Sequence, residues 1–382
     1  MTLTSEQQDF AASVADFCRR ECGTREQRDA LTGGGLETHH DGLYRRIAQL
    51  GWIGAGLPTE FGGADGGMVD ICVFLEETAR GMAPIGGFTT SIIVAEAYRR
   101  FGSPEQRKLI LGGIADGEVA AIAMSEPEAG SDVAALSCRA ERRTDQHGDS
   151  WVVNGQKTWC SNAHIANTIL LVARTSTEKD KHDGLTMFHV PADTAGLRIN
   201  GIDTMGGREV NDLYFTDCVL PEDAVVGQVG AGWRQLMAGL NLERLILAAG
   251  MLGTAQRAFD DTLAYIRERE QFGRPIGTFQ AIRHRIADLA TEIECCRLLV
   301  YRVAELVDEN PDRLLPREAS MVKLKVTETA KRMALEGMQM MGGYGYSSEY
   351  DMERFVRQTL VSTIYGGTSE IQRGIIAKTL GL

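Results

Sequence analysis

Residues 338–373 read MQMMGGYGYSSEYDMERFVRQTLVSTIYGGTSEIQR, and this stretch is the most informative part of the chain. A glycine-rich turn is followed by a charged helical segment and then by a second glycine turn at residues 366–367. Glycines cluster where the backbone must turn tightly or approach a ligand closely, although two ordinary turns between helices would have the same composition. The order of these three elements indicates a functional site.

The composition is that of a large acidic protein. The chain has 382 residues, 43% of them hydrophobic, which predicts two or three domains. Its net charge of −12 disfavours nucleic acids and acidic membranes as partners. The eight cysteines lack the spacing of zinc ligands, so we expect no metal. The N-terminus lacks an export signal, and no apolar run approaches the roughly 20 residues that cross a bilayer, so we expect a cytoplasmic protein.

The hydrophobic period changes twice along the chain. Residues 1–117 have the spacing of helices, residues 118–227 alternate with a period near two, and residues 228–382 return to helical spacing. These changes predict an N-terminal helical domain, a middle β domain and a C-terminal helical bundle. The bundle should contain four long helices, over residues 233–269, 279–306, 316–341 and 349–363. The fold class is therefore α+β, with an antiparallel, barrel-like sheet between two helical parts.

Two local signals predict particular turns. Ser103 followed by Pro104 is typical of a helix start, and it predicts a short helix within residues 101–117. Asn154-Gly155 separates two runs rich in Val, Thr and Trp. Because both residues tolerate positive φ, this dipeptide predicts a β-hairpin turn.

The phrases GGYGYSSEYDMERFVRQ and IYGGTSEIQR resemble the C-terminal signature of the acyl-CoA dehydrogenase family of flavoproteins. The predicted order of helices, sheet and helices is also the architecture of that family, so the resemblance covers nearly the full chain. It implies an oxidoreductase of lipid metabolism that uses FAD to convert an acyl-CoA thioester into the 2,3-enoyl-CoA. It further implies an electron-transferring flavoprotein as acceptor and a homo-oligomer, a dimer or a tetramer, in which subunits share the cofactor.

Two segments of the predicted β domain resemble family motifs at the flavin. Residues 123–132, AMSEPEAGSD, resemble AxTEPxAGSD, in which the family uses the positions of Met124 and Ser125 to contact the flavin. The same motif places Ser131 beside the pantetheine arm of the substrate. Residues 157–162, KTWCSN, resemble KxWITN, with Trp159 against the flavin and Ser161 keeping a hydroxyl there. Without the resemblance, these would be a polar turn and a core tryptophan.

A third segment resembles the element that reaches the FAD of a neighbouring subunit. Residues 267–280, REREQFGRPIGTFQ, are similar to RxxFGxxIxxxQ, although a solvated charge run ending a helix is the plainer interpretation of the glutamates. An arginine at position 269 would suit a pyrophosphate, because its donor fork can bind two oxygens together. The FAD contacts implied by the resemblance in this half of the chain are Arg269, Gln271, Phe272, Gln280, Gln339, Gly342, Gly343, Thr368 and Glu370.

The usual catalytic base of the family is missing. Most members carry Tyr-Glu-Gly-Thr at the second turn, and the Glu removes the α-proton, whereas this chain has Gly366 in that place. In the isovaleryl-CoA and long-chain subclasses, the base lies instead on an earlier helix in the phrase LxxER. Residues 240–244 read LNLER, so the resemblance assigns the base to Glu243. Because two carboxylates at one apolar site would repel, one acid rather than two is physically reasonable.

The remaining substrate contacts follow from the same resemblance. Tyr365, Gly366 and Gly367 are expected at the acyl thioester, whose carbonyl the backbone N–H at position 366 would hold. Arg244 is expected to hold part of the CoA by charge-assisted hydrogen bonds. The relocated base is associated with branched or bulky acyl chains.

Three alternatives remain open from the sequence. Glu243 could be an ordinary helix glutamate paired with an arginine. The enzyme could run as a reductase or act on a carrier-protein thioester. The glycine at position 366 would also be found in a non-catalytic partner subunit of a hetero-oligomer.

Overall fold

The computed structural model describes residues 3–146, 148–178 and 180–382, apart from the side chains of Ala238, Leu240 and Asn241. Numbered in chain order, the helices are α1 (Ser5–Cys22), α2 (Arg25–Thr32), α3 (Asp41–Gln49), α4 (Met68–Arg80), α5 (Gly87–Phe101), α6 (Pro104–Ala115), α7 (Gly232–Glu268), α8 (Gln280–Glu309), α9 (Pro316–Met341), α10 (Gly343–Tyr346), α11 (Met352–Ser362) and α12 (Ser369–Thr379). The strands are β1 (Ala120–Ala123), β2 (Arg139–Asp145), β3 (Gly148–Ser161), β4 (Thr168–Arg174), β5 (Leu185–Pro191), β6 (Leu197–Gly201), β7 (Val210–Pro221), β8 (Val225–Val226), β9 (Glu270–Gln271) and β10 (Arg274–Pro275).

The chain forms two compact units. The first, here called the helical unit, comprises Met1–Gly35, Gly66–Ala83 and Asn241–Leu382. The second, the sheet unit, comprises Leu36–Asp65 and Pro84–Leu240. The order of elements is the predicted one, with helices before and after a central sheet. The domain boundaries given in the sequence analysis stay a prediction.

The helical unit is built around α9. In this unit α1 packs on α4, α4 on α8, and α8 on α9, which also packs against α11 and α12. Helix α9 buries Ala319, Val322, Val326, Ala330 and Met333, whose spacing of three and four residues forms one stripe. Helix α12 is an addition to the four predicted helices.

Helix α7 has 37 residues and is long and apolar enough to cross a membrane by length and composition. Core helices of soluble proteins satisfy the same criterion, and 47% of its apolar window is buried within the protein.

Short helix α6 confirms the predicted start at Ser103. The Ser103 hydroxyl accepts a hydrogen bond from the Gln106 N–H at 3.2 Å, and Pro104 is the first helical residue. Both features satisfy or remove backbone donors that have no partner inside a first helical turn.

The central sheet is mixed, where the sequence predicted an antiparallel one. Its strands follow the order β6-β7-β3-β2-β4-β5-β8, and most neighbours are antiparallel. Strand β2 pairs with β4 in parallel, at Arg139 opposite Arg174. Strand β1 also pairs with β4 in parallel, from Ala120 opposite Thr168 to Ala123 opposite Leu171. Its last residue, Ala123, is the first residue of the AMSEPEAGSD segment. A parallel first strand therefore delivers that segment to the end of the sheet.

The predicted hairpin turn at Asn154-Gly155 is wrong. Strand β3 continues through these residues and pairs with both β2 and β7, with a register shift against β7 between Val153 and Gly155. The Asn154 side chain stabilises this bulge, since its Oδ1 accepts a hydrogen bond from the Asp217 N–H at 2.8 Å. Gly155 is required for a different reason, because a Cβ there would lie 2.7 Å from the Cα of Cys138. Asn154 and Gly155 therefore form a β-bulge and allow the backbone to approach Cys138 closely, and they do not reverse the chain.

A buried ion pair connects the two segments of the sheet unit that are predicted to contact the flavin. The Lys157 ammonium donates to a Glu126 carboxylate oxygen at 2.8 Å and to the carbonyl of Met124 at 2.9 Å, and its side chain is fully buried. Glu126 also accepts hydrogen bonds from the N–H groups of Ser137 and Cys138. Burial alone would raise the pKa of Glu126, but the Lys157 charge and these hydrogen bonds outweigh it and lower that pKa.

We predict that Lys157→Met lowers the free energy of unfolding by about 3–5 kcal/mol, because it leaves the Glu126 carboxylate buried without its partner. Denaturant unfolding at neutral pH measures this loss, and adding Glu126→Gln should recover part of it. The pKa of Glu126 is lowered in the folded protein, so the stability it contributes is present above its unfolded pKa near 4.5 and disappears as the pH falls below that value.

Lys181→Met is the matched control for this prediction. Lys181 pairs with Asp132 at 2.7 Å in the same unit, but both side chains are about half exposed, at 49% and 59%. Exposed pairs contribute about 0–1 kcal/mol, so this variant should be nearly as stable as the wild type. Equal losses in the two variants would contradict a special role for the buried pair.

Candidate active site

The predicted site residues fall into one group in the sheet unit and two in the helical unit, and each group is called a cluster below. The sheet cluster contains Met124, Ser125, Ser131, Trp159 and Ser161. The hairpin cluster is formed by Arg269, Gln271, Phe272, Gln280, Gln339, Gly342 and Gly343. The turn cluster consists of Glu243, Arg244, Tyr365, Gly366 and Gly367, with Thr368 and Glu370 directly after it.

In the sheet cluster, the two predicted flavin motifs lie side by side. The Thr158 N–H donates to the carbonyl of Ser125 at 2.9 Å, which brings Ser125 next to Trp159. Trp159 is 60% exposed and has a φ of +59°. This conformation costs a bulky residue about 1–3 kcal/mol, and it presents the indole at the surface. Ser161 lies farther along β3, opposite Val210, and Ser131 is exposed in the loop after β1.

The hairpin cluster is organised by the two short strands β9 and β10. Phe272 and Gly273 form the turn between them and have φ values of +55° and +76°, as the favoured two-residue hairpin turns require. This turn leaves the Phe272 side chain 92% exposed. The neighbouring Gln280, at the start of α8, is exposed as well.

A cavity of about 480 Å³ adjoins this hairpin. It brings together Arg269 and Gln271 with Gly342 and Gly343 at the end of α9. Their expected contact with FAD stays a prediction. Gln339 is exposed in the last turn of the same helix. The family motifs did not indicate the aromatic wall of this cavity, where the Arg269 guanidinium lies 5.5 Å from the ring centre of Tyr344. The repeated tyrosines of GGYGYSSEY were the available signal.

The turn cluster brings the predicted base to the glycine turn. Gly366 and Gly367 have φ values of +59° and +84°, so both positions favour glycine. A Cβ at position 366 would lie 3.8 Å from Oε1 of Glu243 on α7. The carboxylate of Glu243 therefore occupies the neighbourhood that a side chain at position 366 would enter.

Two side chains outside the predicted site residues bind this turn. The buried Gln372 amide donates to the carbonyls of Gly366 and Gly367, each at 2.9 Å. The ammonium of Lys323, on α9, donates to the carbonyl of Gly367 at 2.9 Å. Lys323 follows Ala319 by four residues and precedes Val326 by three, so a charged residue on the apolar stripe of α9 was the signal for it.

Burial dominates the electrostatics of the turn cluster. It raises the pKa of Glu243 above the usual value near 4.5, and the positive charges of Arg244 and Lys323 oppose this rise in part. Burial lowers the pKa of Arg244, which the Glu243 carboxylate counteracts. Such a guanidinium stays protonated at any physiological pH. The site thus combines a carboxylate of raised basicity with fixed positive charge.

Thr368 and Glu370 make the contacts of a helix start. The Thr368 hydroxyl caps α12 by accepting from the Ile371 N–H at 3.3 Å. Hydrogen bonds at this helix start lower the pKa of Glu370, whose side chain is exposed. Their expected contact with FAD stays a prediction.

The residues of these clusters fit FAD. An exposed indole in a costly backbone conformation suits a flat ring system, because the ring can cover the apolar surface that the indole presents. The open cavity offers a guanidinium and an amide beside two glycines, which suits a diphosphate and a nucleoside. The described residues contain no cluster of His, Cys, Asp and Glu side chains that could hold a metal ion.

Comparison with known proteins accounts for nearly the whole chain. The family models for the N-terminal, middle and C-terminal domains of acyl-CoA dehydrogenase match residues 4–118, 121–218 and 230–381. The chain is 35% identical to the mitochondrial 2-methylacyl-CoA dehydrogenase of Solanum tuberosum, over 100% of this chain and 92% of that protein. It is also 35% identical to the mitochondrial isovaleryl-CoA dehydrogenase of the same plant, over 98% and 90%.

A solved structure agrees with this result. The crystal structure of an acyl-CoA dehydrogenase from Geobacillus kaustophilus superposes with a TM-score of 0.92 at 31% identity, and the match covers 100% of this chain and 99% of that one. The predicted fold class is confirmed. The chain belongs to the acyl-CoA dehydrogenase family of oxidoreductases, whose members are FAD-binding flavoproteins.

Proposed function

We propose that this chain oxidises a short, branched acyl-CoA to the 2,3-enoyl-CoA, with Glu243 as the base that removes the α-proton. The observation that carries this proposal is the approach of Glu243 Oε1 to within 3.8 Å of the place where a Cβ at position 366 would lie. A carboxylate on α7 can thereby reach the same substrate proton that an acid at position 366 would reach. The similarity to dehydrogenases of 2-methylacyl-CoA and isovaleryl-CoA supports a branched substrate.

The roles of the protein groups follow from their surroundings. Glu243 must be ionised to accept the α-proton, and its raised pKa makes the carboxylate a stronger base than one in water. The backbone N–H of Gly366 would hold the thioester carbonyl, which makes the α-proton more acidic. Arg244 would bind an oxygen-rich part of the CoA, and Ser131 would lie along the pantetheine arm. FAD, when bound, supplies the acceptor for the hydride that leaves Cβ.

We also propose that the enzyme is a homo-oligomer, a dimer or a tetramer, that passes its electrons to an electron-transferring flavoprotein in the cytoplasm. Phe272 supports the oligomer, because a phenylalanine that is 92% exposed at a hairpin tip would gain from contact with another surface. Sedimentation of the FAD-loaded protein tests the oligomer. Reduction of a purified electron-transferring flavoprotein in the presence of substrate tests the acceptor.

Glu243→Gln should give a folded, yellow protein whose flavin is reduced by acyl-CoA about 10²–10⁴-fold more slowly, since an amide cannot act as the base. Anaerobic stopped-flow measurement of flavin absorbance, with straight and branched acyl-CoAs and the matching carrier-protein thioesters, gives the rate. In the wild type, the rate should fall as the pH drops through the pKa of Glu243, which lies above 4.5.

Glu268→Gln is the matched control, because Glu268 lies on the same helix but is exposed. It should react like the wild type. A near-normal rate for Glu243→Gln would reject the assigned base. If only carrier-protein thioesters reduce the flavin, Glu243 remains the assigned base and the proposed acyl-CoA substrate is wrong.

Arg269→Ala should weaken FAD retention about 10- to 100-fold, because it removes a charge-assisted contact worth roughly 1.5–3 kcal/mol. The ratio of FAD to protein after extensive dialysis measures the loss. Arg302→Ala is the control, since Arg302 contacts Glu305 and Glu309 on α8 and lines no part of the cavity described above. An unchanged FAD content in Arg269→Ala would make Arg269 an ordinary surface residue.

Moving the carboxylate back to the turn tests the two positions of the base. Glu243→Gly should abolish flavin reduction, and Gly366→Glu alone should also impair it because two acids then share one apolar site. The combined variant should regain only part of the activity. Its new side chain is strained by a φ of +59°, which costs about 1–2 kcal/mol, and its Cβ would lie 2.6 Å from Cδ1 of Leu247.

Adding Leu247→Ala to the combined variant should therefore raise the recovered rate, because it removes the atom in the way. The same stopped-flow assay compares all of these variants. Full activity in Glu243→Gly, or a triple variant no faster than Glu243→Gly, would contradict the two-position account.

A further inference from the structure

Lys323 is a fully buried lysine outside every sequence motif discussed above. It lies on the apolar stripe of α9, where its ammonium donates to the carbonyl of Gly367 at 2.9 Å. The same ammonium lies 5.8 Å from the ring centre of Tyr365. A Cβ at position 366 would be 3.9 Å from Cε of Lys323, so the lysine and Glu243 approach the same point of the turn.

The charged groups that act on Lys323 come from three helices. Glu243 and Arg244 belong to α7, Glu328 to α9 itself, and Glu370 to α12. Glu328 already binds the exposed Arg373 at 2.7 Å, and Glu370 lies in the exposed first turn of α12. Glu243 is therefore the carboxylate within this partly buried cluster. Burial lowers the pKa of Lys323 to about 8, and Glu243 is the largest influence that opposes this decrease.

We propose that Lys323 is a positioning residue for the reaction: its ammonium fixes the Gly366–Gly367 turn through a carbonyl and supplies the positive charge that keeps the nearby Glu243 carboxylate ionised. This inference rests on the proposed function for its catalytic meaning. Its physical content, a charge coupling between Lys323 and Glu243, is independent of which thioester is oxidised.

Two separate effects follow from the two contacts. Removing the positive charge raises the pKa of Glu243, since burial then acts on the carboxylate with Arg244 as the remaining nearby cation. Removing the donor takes one hydrogen bond from Gly367, while Gln372 still binds the turn. Lys323→Gln removes the positive charge but keeps a polar side chain. Lys323→Met removes both the charge and the hydrogen-bond donor without burying a new polar group.

The first experiment titrates Glu243 directly in the FAD-loaded protein. Infrared difference spectra between the wild type and Glu243→Gln isolate the protonated carboxyl band of Glu243, and the same pairs are recorded in the Lys323 variants. We expect the titration midpoint to rise by about one to two pH units in Lys323→Gln and Lys323→Met. Lys323→Arg should keep it near the wild-type value where the larger side chain fits.

Lys325→Gln is the matched control. Lys325 lies on the same helix, two residues away, and its side chain is 42% exposed and paired with Glu292. Removing this charge should leave the Glu243 midpoint unchanged. An unchanged midpoint in both neutral Lys323 variants, or an equal shift in Lys325→Gln, would overturn the proposal.

The second experiment is a double-mutant cycle on the rate of flavin reduction. Lys323→Gln should shift the acidic limb of the pH–rate profile upward by the same one to two units, and it should slow the reaction far less in the Glu243→Gln background. If Lys323 had only a structural role, Lys323→Gln would slow flavin reduction by the same factor in the wild-type and Glu243→Gln backgrounds. It would also leave the pH–rate profile unchanged. That outcome would reject the positioning role.

The two experiments separate the inference from the proposed function. If no acyl thioester reduces the wild-type flavin while the infrared midpoint still shifts, the proposed reaction fails and the coupling of Lys323 to Glu243 stands. If the wild type reacts but the midpoint and the pH–rate profile do not move in the neutral variants, the reaction stands and the role of Lys323 fails.

Discussion

The free energy of burying charge is the constraint on which both units of this protein depend. Moving an ammonium or a carboxylate out of water is costly unless an opposite charge and hydrogen bonds replace the lost hydration. Lys157 in the sheet unit and Lys323 in the helical unit are both fully buried. Each donates to a main-chain carbonyl, of Met124 and of Gly367, and each has a carboxylate partner or neighbour. In each unit a buried lysine donates to a backbone segment that contains predicted site residues, and it has an acid as partner or neighbour.

Unusual backbone conformations also shape the predicted site motifs. Trp159, Phe272 and Gly366 all have positive φ, and all three fall within motifs that indicated the function. At Trp159 and Phe272 this conformation turns an aromatic side chain toward solvent, whereas at Gly366 it leaves a gap beside Glu243. Strain of this kind persists only where the surroundings determine it, and at Trp159 and Phe272 it falls within predicted site motifs.

Periodicity in the sequence predicted the long elements well because their stability comes from one continuous apolar face. Helix α9 begins and ends where predicted, at Pro316 and Met341, and β4 coincides with the apolar run at residues 168–174. The Asn154-Gly155 prediction failed because a local turn preference competed with β2 and β7, which pair with the same strand. Family motifs indicated which residues line the candidate site. They contain Lys157 and Glu126 but did not indicate that these two residues pair across 31 positions of sequence. They did not indicate Lys323 at all, which lies outside the motifs and binds Gly367 across 44 positions.

The left-handed backbone of Gly366 also bears on how such an enzyme can change over generations. On the proposed assignment, a lineage that has its acid on α7 can lose that acid in one step, but it cannot regain one at the turn as easily. A side chain at position 366 meets both an unfavourable φ and the Cδ1 atom of Leu247. Because Cδ1 is the far end of a flexible side chain, a shift of Leu247 or a smaller residue there would make room for a turn acid. The exchange therefore takes two replacements, and a third would ease it. The conformation of one glycine and the packing of one leucine thereby favour keeping the acid on α7.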